Sequence, residues 1–224
     1  MYKKLLFSLV LMAIGFMSSY AQETLTVYDG GATNAYVPVY GFYADAYSKV
    51  EFIMNSDELS PMTGGTITGL KWYLSSPAEV AWGGVFQIFV KEVEQNTLDN
   101  YIGPENATIV YEGPLDGTQE VLKITFATPY EYNGGNLLVG VYGIEKGTYK
   151  SATFSGAEVI GAAVQGYSYS SLDACSLYLR DFVPMTTFSF EPAGGVVYYK
   201  PTNVHATDLT PNSAVIAWNP GIQG

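Results

Sequence analysis

Aromatic side chains near predicted turns are the residues of this chain best suited to bind a ligand. Phe, Trp and Tyr make up 15% of the 224 residues, and 19 of these aromatics are Tyr. A flat ring stacks on the apolar face of a sugar, because burial and a directional contact then coincide. We expect such contacts from Trp82 at a loop tip and from four tyrosines beside turns, Tyr43, Tyr47, Tyr167 and Tyr169.

The same rings can also be interpreted as packing groups of a β-sheet, because Tyr packs well on pleated surfaces. Trp82 stays open between packing over the rim of a sandwich and forming an exposed platform. Trp72 lies in the middle of an alternating strand and is expected in the core. The four tyrosines form a single patch only if their loops meet at one end of the fold.

Residues for nucleophilic catalysis are scarce. The chain has one His, His205, and one Cys, Cys175. A Ser-His-Asp or Cys-His site needs a histidine, and His205 falls outside the predicted main domain, where we expect it exposed on a strand. Cys175 lies among apolar neighbours and is interpreted as a buried small residue. We therefore expect no enzymatic activity.

Carboxylates remain as possible ligands and catalysts, since the chain has 21 Asp and Glu. Two carboxylates about 5 to 10 Å apart would serve a glycosidase, but none lies in a distinctive motif. Calcium binds several carboxylate and carbonyl oxygens. Asp29, which precedes two glycines, and Asp45 are weak candidates for a structural calcium site. No other cofactor is predicted.

The charge and the N-terminus indicate an extracellular protein. The formal net charge of −11 disfavours nucleic acid and anionic lipid as partners. Lys3 and Lys4 precede the apolar run Leu5–Phe16, and small residues flank position 20, so residues 1–21 are predicted to be a signal peptide cleaved after Ala21. The run is shorter than the ~20 residues that span a bilayer, so no membrane span is expected.

Alternating apolar residues after the leader predict short strands and one helical turn. The segment 66–93 is interpreted as two paired strands joined by a loop, and 130–143 as a hairpin around an Asn-Gly-Gly-Asn turn. Pro38 makes the aromatic segment 35–43 an edge strand or a bulge. The segment 56–62 is expected to form a turn capped by Ser56 that is too short to contribute to the core. The inward-facing residues of the clearest strands are predicted to be Leu70, Trp72, Leu74, Phe86, Ile88, Val90, Leu122, Ile124 and Phe126.

Short strands with regular turn signals predict an all-β fold, an antiparallel β-sandwich of jelly-roll type. We assign residues 22–193 to this sandwich and residues 194–200 to a linker that starts at a Gly pair.

The last residues follow another pattern. The stretch KPTNVHATDLTPNSAVIAWNPG, in residues 201–224 and the lysine before them, resembles the start of a fibronectin type III domain. The matching positions are Pro201, Val204 and Leu209 for the first strand and turn, and Ala214, Ile216 and Trp218 for the second strand. Two strands alone bury too little to fold stably, so we expect either further domains C-terminal to Gly224 or pairing of this tail elsewhere.

Four segments of the main domain carry a second resemblance. They are NAYVPVYGFYADAYSKVEF, GGTITGLKWYLSSPAEVAWG, YNGGNLLVGVYGIEKGTYKSATFSG and FVPMTTFSFEP. Over residues 24–192 they resemble uncharacterised secreted proteins of Bacteroidetes-type bacteria, which couple a β-sandwich to fibronectin type III modules. More distantly, they are similar to jelly-roll adhesin domains attached to secreted proteases. The resemblance implies a secreted or cell-surface location and carries no assigned site residues.

Together these features favour a secreted, non-catalytic binding or adhesion module. Its partner would be a glycan or an extracellular or surface protein, held by loops at one rim. The alternatives are a spacer that displays a downstream domain, or a carboxylate-based glycoside hydrolase. A binding module should expose clustered aromatics around a groove, whereas a spacer should bury them. A hydrolase should show two carboxylates that face each other across a cleft.

Overall fold

A computed structural model describes residues 22–194, 202–210 and 213–219. The described chain divides into two compact units, with Gln22–Gly195 in one and the strands after Val196 in the other. The predicted signal peptide, residues 1–21, and all but the first residue of the predicted linker lie outside the described residues. Within the described ranges, no helix has the length and hydropathy needed to cross a bilayer.

The larger unit is built from short strands, as the turn signals predict. In chain order the strands are β1 (Glu23–Val27), β2 (Ala32–Asn34), β3 (Tyr47–Met54), β4 (Thr66–Ser76), β5 (Val85–Val93), β6 (Thr108–Gly113), β7 (Val121–Glu131), β8 (Asn136–Glu145), β9 (Thr153–Ala157), β10 (Ala163–Ser168), β11 (Tyr178–Arg180), β12 (Val183–Pro184) and β13 (Thr186–Glu191). The helical pieces are α1 (Ser56–Leu59) and the 3-10 turns Gly41–Tyr43, Ser60–Met62 and Leu172–Ala174.

These strands form two antiparallel sheets with jelly-roll connectivity. The first sheet has the order β1-β13-β4-β9-β12, with β7 also paired to β4 and β2 to β9. The second has the order β11-β10-β3-β8-β5-β6. The four-strand sets β1-β13-β4-β7 and β3-β8-β5-β6 have the strand order of a jelly roll. The predicted all-β, antiparallel, jelly-roll-like sandwich is therefore confirmed.

The core lies between the two sheets. All nine residues predicted to face inward belong to it, at 0–6% exposure. Phe52 of β3 and Trp72 of β4 meet edge to face across the sandwich, with ring centroids 6.2 Å apart. Because side chains alternate along a strand, one apolar face of each sheet is enough to fill this layer. The prediction that Trp72 is a core residue is confirmed.

Two predicted strand pairings are wrong. β4 and β5 do not pair, since β4 lies in the first sheet and β5 in the second. β7 and β8 are likewise divided, because β7 pairs with β4 whereas β8 pairs with β3 and β5. A jelly roll sends most of its connections from one sheet to the other. The alternation of apolar residues is the same for a hairpin and for such a crossing, so it could not distinguish them.

Two further local predictions are corrected. The turn at residues 56–62 forms, but its N-cap is Asn55. Leu59 and Met62 are both fully buried in the core, so this short segment does contribute to it. The segment 35–43 is not a strand, and it ends in the 3-10 turn Gly41–Tyr43.

A smaller apolar cluster lies on the outer face of the second sheet, beneath the 94–107 loop. Glu51 of β3 faces this side, as the alternation predicts, yet it is fully buried. Its carboxylate accepts the backbone N–H of Ile102 at 2.7 Å and that of Gly103 at 2.9 Å, together with the hydroxyl of Tyr142. A buried carboxylate needs such donors, so Glu51 anchors the loop to the sheet.

The smaller unit is a β-hairpin of β14 (Thr202–Thr210) and β15 (Ser213–Asn219). His205 lies on β14 opposite Ala217 and is exposed, as expected. The two strands cover positions for which the fibronectin type III resemblance implies strands. The assignment to that family stays a prediction.

Candidate binding surface

The loops that carry the predicted tyrosines meet at one end of the second sheet. β10, β3 and β8 are neighbours, and their register pairs Tyr47 with Ser168 and Ser48 with Gly143. The start of β3 and the ends of β8 and β10 therefore lie side by side. The segments that leave these three points, 35–46, 146–152 and 167–169, come together as a result.

Seven aromatic rings from these segments form one continuous cluster, here called the aromatic edge. Its members are Tyr36, Tyr40, Phe42, Tyr43, Tyr149, Tyr167 and Tyr169. Tyr43 is central, because its ring stacks on Tyr167 with centroids 3.5 Å apart and planes 8° apart, and lies 6.3 Å from Tyr169. Three of the four predicted tyrosines are thus brought into one patch.

Much of this cluster faces solvent. Tyr36, Phe42, Tyr149 and Tyr169 are 36%, 38%, 43% and 54% exposed. Tyr36 and Phe42 line a cleft of about 250 Å³, together with Ala35, Tyr40 and Ser151. Exposed aromatics that touch one another are unusual on a monomer surface and mark interaction sites.

Tyr40 forms the floor of this cleft and is only 8% exposed. Burial raises the pKa of Tyr40 to about 12, the neighbouring tyrosines add to the effect, and the positive charge of Arg180 opposes it. The hydroxyl therefore stays protonated at neutral pH and can both donate and accept a hydrogen bond.

Trp82 is not an exposed platform, which corrects that prediction. The residue is fully buried, and its indole Nε1–H donates to the carbonyl oxygen of Lys150 at 2.7 Å. Its ring lies 5.9 Å from Phe86 and 6.5 Å from Phe154, in the core under the rim. Burial of a large ring with a satisfied N–H outweighs its placement near a loop tip. The alternative of packing is the one the structure shows.

Trp82 instead supports the aromatic edge from below. An ideal Cβ built on Gly41 would lie 2.4 Å from Nε1 of Trp82, so the 35–46 segment rests directly on the indole. The 146–152 segment is attached on its other side, because Thr148 N–H donates to the Trp82 carbonyl at 2.5 Å. The two segments are also joined directly, since Lys150 N–H donates to Gly41 O at 3.1 Å.

Tyr47, the fourth predicted tyrosine, borders the aromatic edge without touching its rings. Lys146 connects it to the cluster, because the ammonium lies 5.1 Å from the centroid of Tyr47 and 5.9 Å from that of Tyr169. The same ammonium donates to the backbone carbonyl of Tyr169 at 2.7 Å. Cys175 is only partly buried, less than predicted, and its Sγ contacts the Tyr47 carbonyl at 3.6 Å. Burial raises the pKa of the Cys175 thiol.

Arg180 lies at the opposite end of the aromatic edge. Its guanidinium carbon is 4.1 Å from the ring centroid of Tyr36 and 5.8 Å from that of Tyr178. Tyr36 is held by a local turn, in which the Asn34 side-chain oxygen accepts the backbone N–H of Tyr36 at 2.8 Å and that of Val37 at 3.1 Å. Arg180 thus forms a cation–π pair with Tyr36, which lines the cleft.

The two calcium candidates are placed apart. Asp45 contacts the aromatic edge, where its Oδ2 accepts the Tyr169 hydroxyl at 3.4 Å. Asp29 lines a separate depression with Tyr28 and Glu58. Among the described residues, no three His, Cys, Asp or Glu side chains come close enough together to hold a metal ion.

Sequence patterns did not single out five residues of this surface, Tyr36, Tyr40, Phe42, Tyr149 and Arg180. The usable signal was the composition of 35–43, where four of nine residues are aromatic and both Pro38 and Gly41 interrupt a strand. Such a segment carries its rings on a loop.

Comparisons with known proteins add little. No protein-family profile matches the chain, and no curated protein sequence matches it significantly. Among solved structures, it is similar to the cysteine protease and lectin-like domains of Cwp84, a surface-layer-associated protein of Clostridium difficile, with a TM-score of 0.38 and 9% identity. The similarity covers 71% of this chain and 36% of that one, so this chain spans about a third of the other's length. No residue role is transferred from it.

Proposed function

We propose that this protein is a non-catalytic binding module that holds a carbohydrate against its aromatic edge. The observation that carries the proposal is the cluster itself, which has four partly exposed rings, two of which, Tyr36 and Phe42, line a cleft. Solvent-facing rings held in place by buried neighbours present a rigid apolar surface with hydroxyl groups at its border. A sugar ring offers the complementary combination of an apolar face and equatorial hydroxyls.

The size of the cleft suits one sugar unit of a longer chain. Its volume of about 250 Å³ is below the roughly 300–1,000 Å³ typical of sites that enclose a whole small ligand. Phe42 and Tyr149, with ring centroids 4.4 Å apart, extend the apolar surface beyond the cleft. A saccharide chain would therefore lie across the aromatic edge with one unit inserted.

The spacer alternative expects buried rings and a featureless acidic surface, and the exposed cluster argues against it. A hydrolase would need facing carboxylates, whereas the cleft is lined by Ala35, three aromatic residues and Ser151. A larger groove, of about 550 Å³, does contain acids. One of them, Glu92, accepts the backbone N–H groups of Asn133 and Gly135. That carboxylate therefore serves to fix the turn before β8.

We further propose that the module acts outside the cell, at the surface or in a secreted protein. This location rests on the predicted leader at residues 1–21 and on the acidic composition of the chain. A non-catalytic carbohydrate site in that location serves adhesion or the retention of a larger protein on a glycan.

A glycan array, paired with a panel of extracellular-matrix proteins, tests the proposal. The variant Phe42→Ala/Tyr149→Ala removes two exposed rings, and we expect its affinity for any bound glycan to fall at least about tenfold. Ile109→Ala is the matched control, because Ile109 is 45% exposed on β6, at the far edge of the second sheet.

Three results would count against the proposal. They are no glycan binding by the folded protein, glycan binding that the double variant retains, or binding of a matrix protein alone.

A further inference from the structure

Arg180 is the only arginine of the chain, and it contacts Tyr36, which lines the proposed carbohydrate cleft. It ends β11, where it pairs with Ala163 of β10. Its guanidinium carbon lies 4.1 Å from the ring centroid of Tyr36, a cation–π contact that restrains the side chain. An arginine fixed in this way presents its donors in a constant direction.

Most of the donors of Arg180 have no acceptor within the described residues. Nη1 donates to the carbonyl of Leu179 at 3.3 Å, and Nε is buried without a partner. No described carboxylate forms an ion pair with it, since the described ion pair is Lys150–Glu79. The neighbouring Asp181 is turned away, because its Oδ1 accepts the N–H of Gly161 at 2.7 Å.

This arrangement is unexpected in so acidic a protein. The chain carries 21 acidic residues against 10 basic ones, so a carboxylate partner would be readily supplied if Arg180 served only to stabilise the fold. Leaving a guanidinium donor buried and unpaired costs free energy. The Nη2 group of Arg180 is not buried and has no described acceptor, so a ligand that brings its own oxyanion would pair with this accessible end of the guanidinium.

We infer that the ligand of the aromatic edge is an anionic saccharide, and that Arg180 binds its carboxylate or sulfate group. The inference rests on the proposed carbohydrate site and names the ligand class. Guanidinium groups bind both oxyanions through paired N–H bonds. The anion belongs at the Tyr36 end, where Arg180 lies. At the other end the Lys146 ammonium already donates to the Tyr169 carbonyl, and the Asp45 carboxylate lies beside Tyr169.

Matched pairs of polysaccharides test this assignment. Oligogalacturonate and its methyl ester differ in the charge of a carboxylate, and dextran sulfate and dextran differ in sulfate. Titration of the full chain with each, at fixed ionic strength, should show that at least one charged member binds more tightly than its neutral partner. The pair that shows the preference identifies which oxyanion is recognised.

Three variants connect the preference to Arg180. Arg180→Gln should weaken binding of the charged member about tenfold to a hundredfold, the range for a charge-assisted pair, and should leave the neutral member unaffected. Arg180→Lys keeps the charge but not the planar guanidinium, so its affinity for the charged saccharide should fall several-fold. Lys123→Gln removes one exposed charge from β7, a strand that contributes no ring to the aromatic edge. It should change the affinity for neither the charged nor the neutral saccharide.

Several outcomes would overturn the inference. One is equal binding of charged and neutral members, and another is a preference that survives in Arg180→Gln. An equal loss in Lys123→Gln would show a net-charge effect instead. If Arg180→Gln does not fold, Arg180→Lys tests the inference instead, because its affinity for the charged saccharide should fall several-fold. If none of the four saccharides binds, the inference fails. Binding of neutral glycans on the array would then still support the proposed function. An array without any binding would reject both the inference and the proposed function.

Discussion

Replacing Trp82 with alanine is expected to destabilise the sandwich and to disorganise the aromatic edge. The indole is fully buried, and truncation of such a ring costs about 3–5 kcal/mol through lost burial and the cavity left behind. The upper half of that range is expected, because the Lys150 carbonyl also loses its donor. For a chain of this size, each kcal/mol lowers Tm by about 2–4 °C, so Tm should fall by roughly 8–20 °C.

Urea unfolding followed by circular dichroism measures this loss, and two further variants identify its origin. Trp82→Phe keeps an aromatic ring but not the N–H donor, and should cost about 1–3 kcal/mol. Gly41→Ala places a Cβ 2.4 Å from the indole Nε1 and 2.6 Å from the Lys150 carbonyl oxygen, so it should also destabilise the fold. A loss below about 1 kcal/mol in Trp82→Ala would refute the buried position of the indole.

The supporting role of Trp82 is separated from its stabilising role by a second core variant. Ile124→Ala, on β7, removes a residue that is 1% exposed and should cost about 2–5 kcal/mol. Both variants should be tested for glycan binding at a temperature at which both remain folded. We expect Trp82→Ala to lose affinity and Ile124→Ala to retain it. Equal binding by the two variants would show that Trp82 does not position the aromatic edge.

Two other predictions concern pH and the buried carboxylate. The folded-state pKa of Tyr40 is raised from 10.0 to about 12, so the stability that Tyr40 contributes is fully present below pH 10 and is lost as pH rises from 10 through about 12. Tyr40→Phe should therefore make the fall of Tm over that interval shallower. Identical slopes of Tm against pH in the two proteins would contradict the assignment. Glu51→Gln replaces one acceptor oxygen with a donor that faces a backbone N–H or a hydroxyl, so the free energy of unfolding should drop by about 1–3 kcal/mol, with faster amide exchange in the 94–107 loop. An unchanged exchange rate there would show that Glu51 does not anchor the loop.

Strand positions and their inward faces follow from the sequence because they depend on local alternation. The inward orientation of Leu70, Trp72 and Leu74 could be predicted because it requires only that one face of their sheet is buried. The pairing of strands is a long-range property, and β4 and β5 show the limit. Their connecting loop carries turn residues that fit a tight return within one sheet as well as a crossing to the other.

Burial of residues on the outer face of a sheet could likewise not be predicted from local alternation. Glu51 lies opposite the core, where solvent exposure is the default, and it is buried only because a loop more than forty residues later in the chain covers it. Trp82 was ambiguous for the related reason that its partners, Gly41 and Lys150, are distant in sequence. The tyrosines beside turns were found because turn residues reach the surface, whereas their convergence depends on the register of β3, β8 and β10.

Amide chemical-shift mapping is the most direct test of the claim that the aromatic edge is the carbohydrate site. The protein would be titrated with the saccharide that binds most tightly on the array. The proposed site predicts saturable shifts concentrated in residues 35–46, 146–152 and 167–169, with a smaller set at β11. Shifts concentrated instead along the groove of Lys91, Glu94 and Glu105, or the absence of saturable shifts, would contradict it.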